Sequence, residues 1–293
     1  MYLSRTAQGP AVPPSANTAA SSVSLVIPAF NEEAVIRRCV TAAINQSSPA
    51  DQIIVVDNKS TDRTCAIVQQ LQQEYPESCL LLMHQDQEQG LIPTRNYGLD
   101  RATSDILGRI DADSLLEPDW VEQVRRAFAD PAVCAATGPV LYYDMPLRRF
   151  GLRADDTIRQ WLLRLAGHRH NFLYGSNMAL RRAAWEQIRT ETCRDPEDQM
   201  HEDIDLSLHL AEHSLAIAYV PNMVSGTSAR RLENPPKAYC HYLARFGRTY
   251  AAHNVRNIAL KAPMVLLLLV YFPAKALRAM HLAGVRQMAR QNN

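Results

Sequence analysis

Two carboxylates of the chain have the spacing and the setting of a metal site. Asp111 and Asp113 stand at i and i+2 directly after the apolar run Ile106 to Ile110, which predicts a buried strand. Beyond the end of a strand both carboxylates can turn to the same side and offer hard oxygen ligands to Mg²⁺ or Mn²⁺, ions that clamp a diphosphate. We therefore expect a diphosphate-binding metal site here, with a polar turn that only closes the strand as the alternative.

A second candidate metal pattern lies in a predicted helix over residues 201–213. His209, Glu212 and His213 match H-x-x-E-H, an inverted zinc-protease pattern that places two imidazoles and a carboxylate on one helical face. Such a site normally has a third protein ligand, often a downstream carboxylate, and Glu233 is the only acid after His213. We therefore set the protease hypothesis aside.

The elements that must position these groups follow an alternating pattern. From residue 23 to 142, short apolar runs alternate with amphipathic stretches, which is typical of βαβ units and a parallel sheet. The predicted strands are 23–29, 53–56, 79–83, 106–110 and 133–141, and the predicted helices begin after Asn31, at Ser60 or Thr61, near Thr94 and at Glu117-Pro118. Ligands of such sheets bind beyond the carboxyl ends of the strands, so chemistry is expected at Asp57 and at 111–113.

Composition bounds the class of protein. The 293 residues are 47% hydrophobic and 21% charged, which supports a sizeable core and excludes a disordered or fibrous chain. The formal net charge of +1 argues against a nucleic-acid binder with a basic surface. The six scattered cysteines form no zinc-finger spacing and are predicted to be reduced thiols. Neither a Walker-type phosphate loop nor a G-x-G-x-x-G fingerprint after the first strand is present, which disfavours kinases, ATPases and dehydrogenases.

Three segments together carry a resemblance to a known family. VSLVIPAFNEEAVI (23–36), IIVVDNKSTDRT (53–64) and TRNYGLDRATSDILGRIDADS (94–114) follow in that order and spacing, and the chain here resembles the family 2 glycosyltransferases of the GT-A fold. The resemblance covers about residues 22–230. It implies an α/β fold with a Rossmann-like, mainly parallel sheet flanked by helices, and a nucleotide-sugar donor, with a UDP-sugar favoured over a GDP- or dTDP-sugar.

The resemblance also implies roles for individual residues. Asp57 would hydrogen-bond the base edge, Arg95 would reach the nucleotide or its phosphates, Asp111 would contact ribose and metal, and Asp113 would be the principal ligand of Mg²⁺ or Mn²⁺. The remaining implied donor contacts are Pro28, Phe30 and Glu32 around the base and ribose, and Gly175, Ser176 and Asn177 beside the donor sugar.

The segment His201 to Leu208 is similar to the Glu-Asp motif of that family. By this resemblance Asp203 is the general base of an inverting transfer, which takes the proton of the acceptor hydroxyl as that oxygen attacks the anomeric carbon. Glu202 would position the acceptor or hold Asp203, and Asp205 would point elsewhere. An acidic helix start without a catalytic role is the alternative.

The sequence departs from the processive members of the family. Their Gln/Arg-x-x-Arg-Trp motif is replaced by Ala229-Arg230-Arg231-Leu232 with no following Trp, which favours the addition of a single sugar and leaves the role of both arginines open. Two other hypotheses remain: a catalytically weak GT-A module that acts as a membrane-tethered scaffold, and a nucleotidyltransferase. The latter usually carries a Gly-rich phosphate loop after its first strand, unlike the PAFNEE segment here.

The C-terminal part differs in charge from the rest. Residues 226–293 carry a net +10 and residues 1–225 a net −9. The tail also contains the uncharged run Ala262 to Ala274 between Lys261 and Lys275, which is short for a membrane span. With Pro263 and Pro273 near its ends it fits a short hairpin or an interfacial segment, and the alternatives are a span extended by snorkelling lysines and a buried or oligomeric helix. A basic, apolar tail suits an anionic cytoplasmic leaflet.

These patterns predict an organisation in three parts. Residues 1–22 would be a disordered arm, and 23–230 a catalytic domain with a nucleotide-sugar-binding half (23–142) and an acceptor-binding half (143–230). Residues 231–293 would form a helical membrane-associated tail. We expect a glycan or lipid-linked acceptor, a peripheral, monotopic or single-span location on the cytoplasmic side of the membrane, and no nucleic-acid partner. A basic helix over residues 145–167 is a further candidate for a solvated face or a docking surface.

Overall fold

A computed structural model describes residues 21–146, 172–255 and 262–291. The strands are β1 (Val23–Ala29), β2 (Gln52–Asp57), β3 (Leu80–His84), β4 (Ile106–Arg109), β5 (Leu115–Leu116), β6 (Val133–Thr137), β7 (Val140–Tyr142), β8 (Met178–Arg181), β9 (Ala216–Tyr219) and β10 (Ser225–Thr227). The helices are α1 (Ile36–Ile44), α2 (Thr64–Glu74), α3 (Leu91–Arg101), α4 (Trp120–Ala127), α5 (Arg182–Ile188), α6 (Glu202–Glu212), α7 (Pro236–Ala252) and α8 (Ala262–Gln291). Residues 1–20 of the predicted arm (1–22) and residues 147–167 of the predicted basic helix (145–167) lie outside the described residues.

A seven-stranded sheet organises the molecule, in the order β3-β2-β1-β4-β8-β6-β9. β1, β2, β3 and β4 are parallel, as the alternating pattern predicts, because the connection between each successive pair of these strands contains a helix. β8 runs antiparallel between β4 and β6. A small second sheet joins β5, β10 and β7 at the carboxyl end of β4. This mixed arrangement confirms the predicted α/β class.

The sheet is buried on both faces. One core cluster packs α1, α2 and α4 against one face, with Leu25, Ile27 and Trp120 fully buried. The other cluster packs α3, α5 and α6 against the opposite face, with Val26 and Leu107 among its members. Neighbouring residues of β1 thus face opposite cores, which explains its uninterrupted apolar sequence.

Several predicted boundaries are wrong for local reasons. Asn31 does not begin a helix: its φ is +54°, its Oδ1 accepts the Thr61 N–H at 2.8 Å, and α1 starts only at Ile36. Neither Ser60 nor Thr61 begins α2, whose first backbone N–H, from Thr64, donates to Asp62 Oδ1 at 2.9 Å. α3 starts three residues before Thr94, and α4 starts at Trp120, after the Glu117-Pro118 pair.

The predicted fifth strand is two strands in two sheets. β6 ends at Thr137 and β7 begins at Val140, and Gly138 lies between them. A Cβ at Gly138 would lie 2.0 Å from the carbonyl oxygen of Met223, so this glycine permits a backbone approach that any side chain would block. The predicted continuous C-terminal helix is likewise interrupted, because α7 ends at Ala252 and residues 253–255 leave the helix.

Helix α8 has one docked face and one exposed face. Tyr271, Lys275 and Arg278 recur at i, i+4 and i+7, and all three contact the turn near residue 234 or the loop at Asp144. The segment Met264–Val285 is long and apolar enough to cross a membrane by length and composition, and only 11% of its most apolar window is buried. α8 is therefore not a core helix of this chain, and it continues through Pro273 rather than folding into a hairpin.

Close packing of α3 on the sheet gives a stability prediction. A Cβ at Gly98 would lie 2.4 Å from Val26 Cγ1 and 3.0 Å from Val56 Cγ2, two stiff side chains in the core. We expect Gly98→Ala to lower the free energy of unfolding by about 1–3 kcal/mol. Gly247→Ala in α7, where a Cβ meets nothing within 4 Å, should raise it by about 0.5–1 kcal/mol. Urea denaturation of both variants measures the difference, and equal effects would contradict the packing.

Candidate active site

The candidate site lies at the carboxyl ends of the parallel strands. β2 ends at Asp57, β4 ends at Arg109 just before Asp111 and Asp113, and β1 ends beside Phe30. Sheet topology makes β1 the neighbour of both β2 and β4, so these groups lie along one edge. The structure therefore brings together the side chains that the strand pattern predicts.

Asp57 offers a buried acceptor on this edge. Its side chain is almost fully buried, and its Oδ2 accepts the Ser60 N–H at 3.2 Å. Its Oδ1 has no N–H or O–H donor among the described residues. The Cys65 thiol lies against this carboxylate, and burial together with the Asp57 charge raises the pKa of Cys65 to about 12. A buried acceptor without a donor is costly, so Asp57 suits a ligand that brings an N–H.

Residues after β1 line the neighbouring surface. Pro28 is buried within β1, whereas Phe30 is 48% exposed and can offer an aromatic face to a flat ligand. Glu32 faces the acidic loop from this side, and its two oxygens accept from both terminal nitrogens of Arg230 at 2.6 and 2.8 Å. Arg230 is thus part of this site, although the sequence alone left its role open.

Asp113 lies among other negative charges. It accepts a hydrogen bond from Thr227 Oγ1 at 3.3 Å and pairs with Arg230 Nε at 3.1 Å. Burial, together with the charges of Asp111 and Glu32, raises the pKa of Asp113 to about 6 even though Arg230 opposes the shift. The loop is therefore short of positive charge, and its donors are carboxylate oxygens. Both properties fit Mg²⁺ or Mn²⁺.

A buried ion-pair network joins this loop to α6. Arg95 on α3 bonds Asp111 Oδ1 at 2.5 Å and also bonds Glu202 Oε1. Arg109, the last residue of β4, donates to the same Glu202 oxygen at 2.8 Å and to the Gly175 carbonyl at 3.2 Å. We call Glu202 with Arg95 and Arg109 the arginine clamp. Arg95 already bonds Asp111 and Glu202, and its expected contact with the nucleotide or its phosphates stays a prediction.

The two adjacent acids of α6 have different electrostatic surroundings. Burial alone would raise the pKa of Glu202, but Arg95 and Arg109 hold it at about 2. Among the described residues no arginine bonds Asp203, and burial and the Glu202 charge raise its pKa above the usual value. Its Oδ2 accepts the Gly175 N–H at 3.0 Å. Asp203 is thus a positioned carboxylate with a greater proton affinity than its neighbour, as a general base requires.

The segment before β8 separates into site and scaffold residues. Gly175 lies against the clamp, since a Cβ there would lie 2.6 Å from Arg109 Nη2 and 3.1 Å from Glu202 Oε1. Ser176 is half-buried, with its carbonyl accepting from Ser114 Oγ at 3.3 Å. Asn177 is fully buried, accepting from Trp120 Nε1 at 2.7 Å and donating to two backbone carbonyls. Its side chain is committed to the scaffold, so the expected contact of Asn177 with a sugar is not supported.

Sequence reasoning missed Arg109 altogether. Its guanidinium is 2% exposed and holds both Glu202 and Gly175. The available signal was the position of a charged residue inside the apolar run 106–110, because a buried charge needs a partner. Arg231, whose role the sequence also left open, stacks its guanidinium 3.9 Å from the centroid of the Tyr242 ring.

A large cavity lies within electrostatic range of Glu202 and Asp203, although neither residue is among those that line it. It has a volume of about 1260 Å³ and lies between the start of α3, the 194–198 segment and α7. Its wall includes Arg231 and Tyr242, and burial raises the pKa of Tyr242 with help from the charges of Asp203 and Glu202. The other basic side chains of its lining are Arg194, Lys237 and Arg245.

Comparisons with known proteins agree with this architecture. Among the solved structures that share the fold is a mannosyltransferase from Pyrobaculum calidifontis in complex with GDP-Man and Mn²⁺, with a TM-score of 0.64 and 20% identity over 92% of this chain and 76% of that chain. Another is the Mycobacterium tuberculosis glucosyl-3-phosphoglycerate synthase in complex with Mn²⁺, UDP and glucosyl-3-phosphoglycerate, with a TM-score of 0.55 and 18% identity over 81% of this chain and 82% of that chain. Together with the mainly parallel sheet and its acidic strand ends, they define a GT-A fold.

Family models identify the family. The model for glycosyl transferase family 2 matches residues 24–189, and that for glycosyl transferase family group 2 matches residues 109–285. The chain belongs to glycosyl transferase family 2. Similar curated proteins include the glycosyltransferase AglE of Haloferax volcanii (33% identical over 103 residues) and the beta-monoglucosyldiacylglycerol synthase of Synechocystis sp. (36% over 111 residues). The matches cover 34% and 37% of this chain and only 33% and 23% of those relatives.

The arginine clamp predicts a large stability difference between two arginine variants. Arg109→Met leaves buried Glu202 with one guanidinium instead of two, and we expect it to lower the free energy of unfolding by about 3 kcal/mol. Arg126→Met breaks an exposed pair with Glu122 on α4 and should cost under about 1 kcal/mol. Denaturant unfolding measures both, and similar small losses would show that the clamp does not hold the site together.

Proposed function

We propose that the chain transfers a single sugar from a nucleoside-diphosphate sugar to a hydroxyl of a glycan or lipid-linked acceptor, with inversion at the anomeric carbon and Asp203 as the general base. The observation that carries this proposal is the contrast between Glu202, clamped by two arginines, and Asp203, whose carboxylate is held by the Gly175 N–H with a raised pKa. A UDP-sugar is the favoured donor, and GDP- and dTDP-sugars are alternatives for the test.

We assign the donor to the strand-end edge. Asp57 would accept from the base, Phe30 would pack against it beside Pro28, and Asp111 would face the ribose. The solved relatives named above hold GDP-Man or UDP together with Mn²⁺, which supports a nucleotide donor and a divalent ion here as well. Gly175 and Ser176 stay as proposed neighbours of the donor sugar.

Asp113 and Asp111 would hold Mg²⁺ or Mn²⁺. When bound, such an ion offsets the negative charge of the diphosphate leaving group. The protein's own contributions are distinct from this: Arg230 can neutralise charge at the same loop, Glu202 fixes the start of α6, and Asp203 takes the acceptor proton. Asp203 must be ionised to do so, and Glu202 stays ionised because of its two arginines.

The cavity bordered by Arg231 and Tyr242 is the proposed acceptor site. Its basic side chains outnumber its acids, Glu88, Asp195 and Asp198, by one, and this small positive surplus suits an acceptor with a phosphate. At the cavity edge the backbone carbonyl of Asn234 accepts a hydrogen bond from Tyr271 of α8 at 2.6 Å. The acceptor site would thus adjoin the apolar helix, an arrangement that favours a lipid-linked acceptor. We propose 23–230 as the catalytic domain, with its halves meeting near residue 142, and 231–293 as the part that associates with the membrane.

We propose that α8 lies in the plane of the membrane surface rather than across it. On one face Arg278 is bonded to Asp144 of the catalytic domain, and Lys275 to the carbonyl of Asn234 close to that domain, so a perpendicular helix would pull the domain into the bilayer. The opposite face exposes Leu269 by 70% and Phe272 by 66%. Apolar exposure beside a basic tail suits the anionic, cytoplasmic face of a membrane.

Asp203→Asn tests the assignment of the base. The amide keeps size and most hydrogen bonds but takes no proton, so transfer should fall about 10²–10⁴-fold while donor affinity changes less than twofold. Donor binding is measured by calorimetry and transfer by release of nucleoside diphosphate. Asp130→Asn, an exposed loop variant, serves as the control. Unchanged transfer by Asp203→Asn would refute the role.

Asp113→Asn tests the metal assignment. Loss of one anionic oxygen ligand should abolish the part of donor affinity that depends on Mn²⁺, while the metal-independent part persists. Titrating the donor with Mn²⁺ and with EDTA separates the two contributions. Retained Mn²⁺-dependent affinity in the variant would place the metal elsewhere.

A double variant tests the membrane assignment. Leu269→Ser with Phe272→Ser removes two exposed apolar side chains, each worth about 1.5–3 kcal/mol when buried, and should weaken binding to anionic lipid vesicles by at least about tenfold. Leu81→Ser, at an exposed apolar residue of edge strand β3, is the matched control. Co-sedimentation measures binding, and equal binding by all forms would exclude α8 as the membrane contact.

A further inference from the structure

A cluster of imidazoles and carboxylates lies on the side of α6 away from Asp203. Asp205 and His209, one turn apart on α6, meet His253 just after the end of α7. All three side chains are largely buried, with 3%, 13% and 7% exposed respectively. Asp203 faces Gly175, whereas Asp205 faces His253, so this cluster is separate from the proposed catalytic edge.

The distances within the cluster match a mixed nitrogen and oxygen metal site. Asp205 Oδ1 is 2.9 Å from His253 Nε2 and 3.7 Å from His209 Nε2. Ligand atoms of tetrahedral zinc lie about 3.3 Å apart, because each bond to the metal is ~2.0–2.1 Å. One ligand atom from each residue lies within 4.8 Å of the others, so a metal requires only small side-chain shifts.

Groups around the cluster already orient the ligands. Glu212 lies behind both imidazoles, with Oε1 3.0 Å from His253 Nδ1 and Oε2 2.9 Å from His209 Nδ1. Metal-binding histidines commonly donate their second ring N–H to a carboxylate in this way, which leaves the other nitrogen free to ligate. The backbone N–H of Cys193 holds Asp205 Oδ2 at 2.9 Å and fixes that carboxylate as well.

The electrostatics also suit a divalent cation. His253 Nε2 and Asp205 Oδ1 are 2.9 Å apart, a distance that requires a proton between them in the metal-free chain, and a metal would displace this proton. With Nδ1 of each ring donating to Glu212, the two Nε2 lone pairs and one Asp205 oxygen would then converge on one place. Asp205 and Glu212 with two neutral imidazoles would carry a formal charge of −2, and Glu191 Oε2 adds negative charge 3.6 Å from His209 Nδ1. A divalent ion balances this charge and accepts all three lone pairs.

We propose that Asp205, His209 and His253 bind a transition-metal ion of the Zn²⁺ class, with Glu212 as the carboxylate that orients both imidazoles and with water in the fourth position. The site would fasten α6, which carries Glu202 and Asp203 in its first turn, to the end of α7. Its nitrogen ligands distinguish it from the oxygen-only pair Asp111 and Asp113, which suits Mg²⁺ or Mn²⁺.

The site uses the H-x-x-E-H segment differently from a protease. His213 Nε2 bonds Glu191 at 2.9 Å and does not point into the cluster. Glu212 lies behind the histidines rather than beside an open metal position. The metal would therefore have a structural role, and the proposal does not depend on the sugar-transfer function.

Cobalt substitution of the full chain tests the proposal. The protein is stripped with EDTA, dialysed and titrated with Co²⁺ in excess Mg²⁺, which occupies the oxygen-only site. Tetrahedral Co²⁺ absorbs visible light far more strongly than octahedral Co²⁺. We expect one equivalent to give the tetrahedral spectrum, and Zn²⁺ to displace it.

Variants on the same helices provide the controls. His253→Ala and the more conservative His209→Gln should each lose the tetrahedral spectrum and weaken Zn²⁺ binding by at least about 10-fold, whereas His213→Ala and Asp113→Asn should keep both. Zn²⁺ should also raise the melting temperature of the unmodified chain by several degrees, and not that of His209→Gln. No tetrahedral signal in the unmodified chain, or the same signal in both ligand variants, would overturn the proposal.

Discussion

One carboxylate oxygen organises the candidate site. Oε1 of Glu202 accepts from guanidinium groups of both Arg95 on α3 and Arg109 on β4, and Arg95 continues to Asp111. The acidic loop after β4 and the first turn of α6 are thereby tied through buried ion pairs. Separating the partners would leave an uncompensated buried charge, which is costly. The clamp therefore holds the acidic loop and the first turn of α6 together.

The same clamp separates the roles of two neighbouring acids. Glu202 receives both guanidinium bonds and stays ionised, with a pKa of about 2. Asp203 receives the Gly175 N–H and the charge of Glu202, so its pKa rises. Two carboxyl groups of similar intrinsic acidity thus acquire different proton affinities from their surroundings alone, which is why we propose one as a positioning residue and the other as the general base.

The sequence predicted what local patterns encode. Parallel strands, their order along the chain and the acids at their carboxyl ends follow from apolar runs and from the rule that ligands bind beyond those ends. Contacts between residues far apart in the sequence could not be predicted from these local patterns. Glu32 meets Arg230 across 198 positions, and Arg109 meets Glu202 across 93.

The misjudged residues share a physical cause. Asn31 was interpreted from its side-chain chemistry as a helix cap, and Asn177 from the family resemblance as a neighbour of the donor sugar, but each satisfies backbone groups of another segment. An amide can serve either purpose, and only tertiary structure decides which. His209 is a similar case, because Asp205 lies one turn away on α6 but its other partner, His253, follows the end of α7.

The proposed function requires that this site transfers a sugar. A nucleotidyltransferase would transfer a nucleotide instead, and a scaffold would transfer no group. The test is phosphorus NMR of the chain with an acceptor extract, UDP-, GDP- or dTDP-sugars and the diamagnetic ion Mg²⁺, which does not broaden phosphorus signals as Mn²⁺ does. The possible products differ in kind and give different signals. We predict a nucleoside diphosphate from one of these donors and, by proton NMR of the anomeric hydrogen, inverted configuration in the sugar product. Pyrophosphate, or no turnover with any donor, would contradict it.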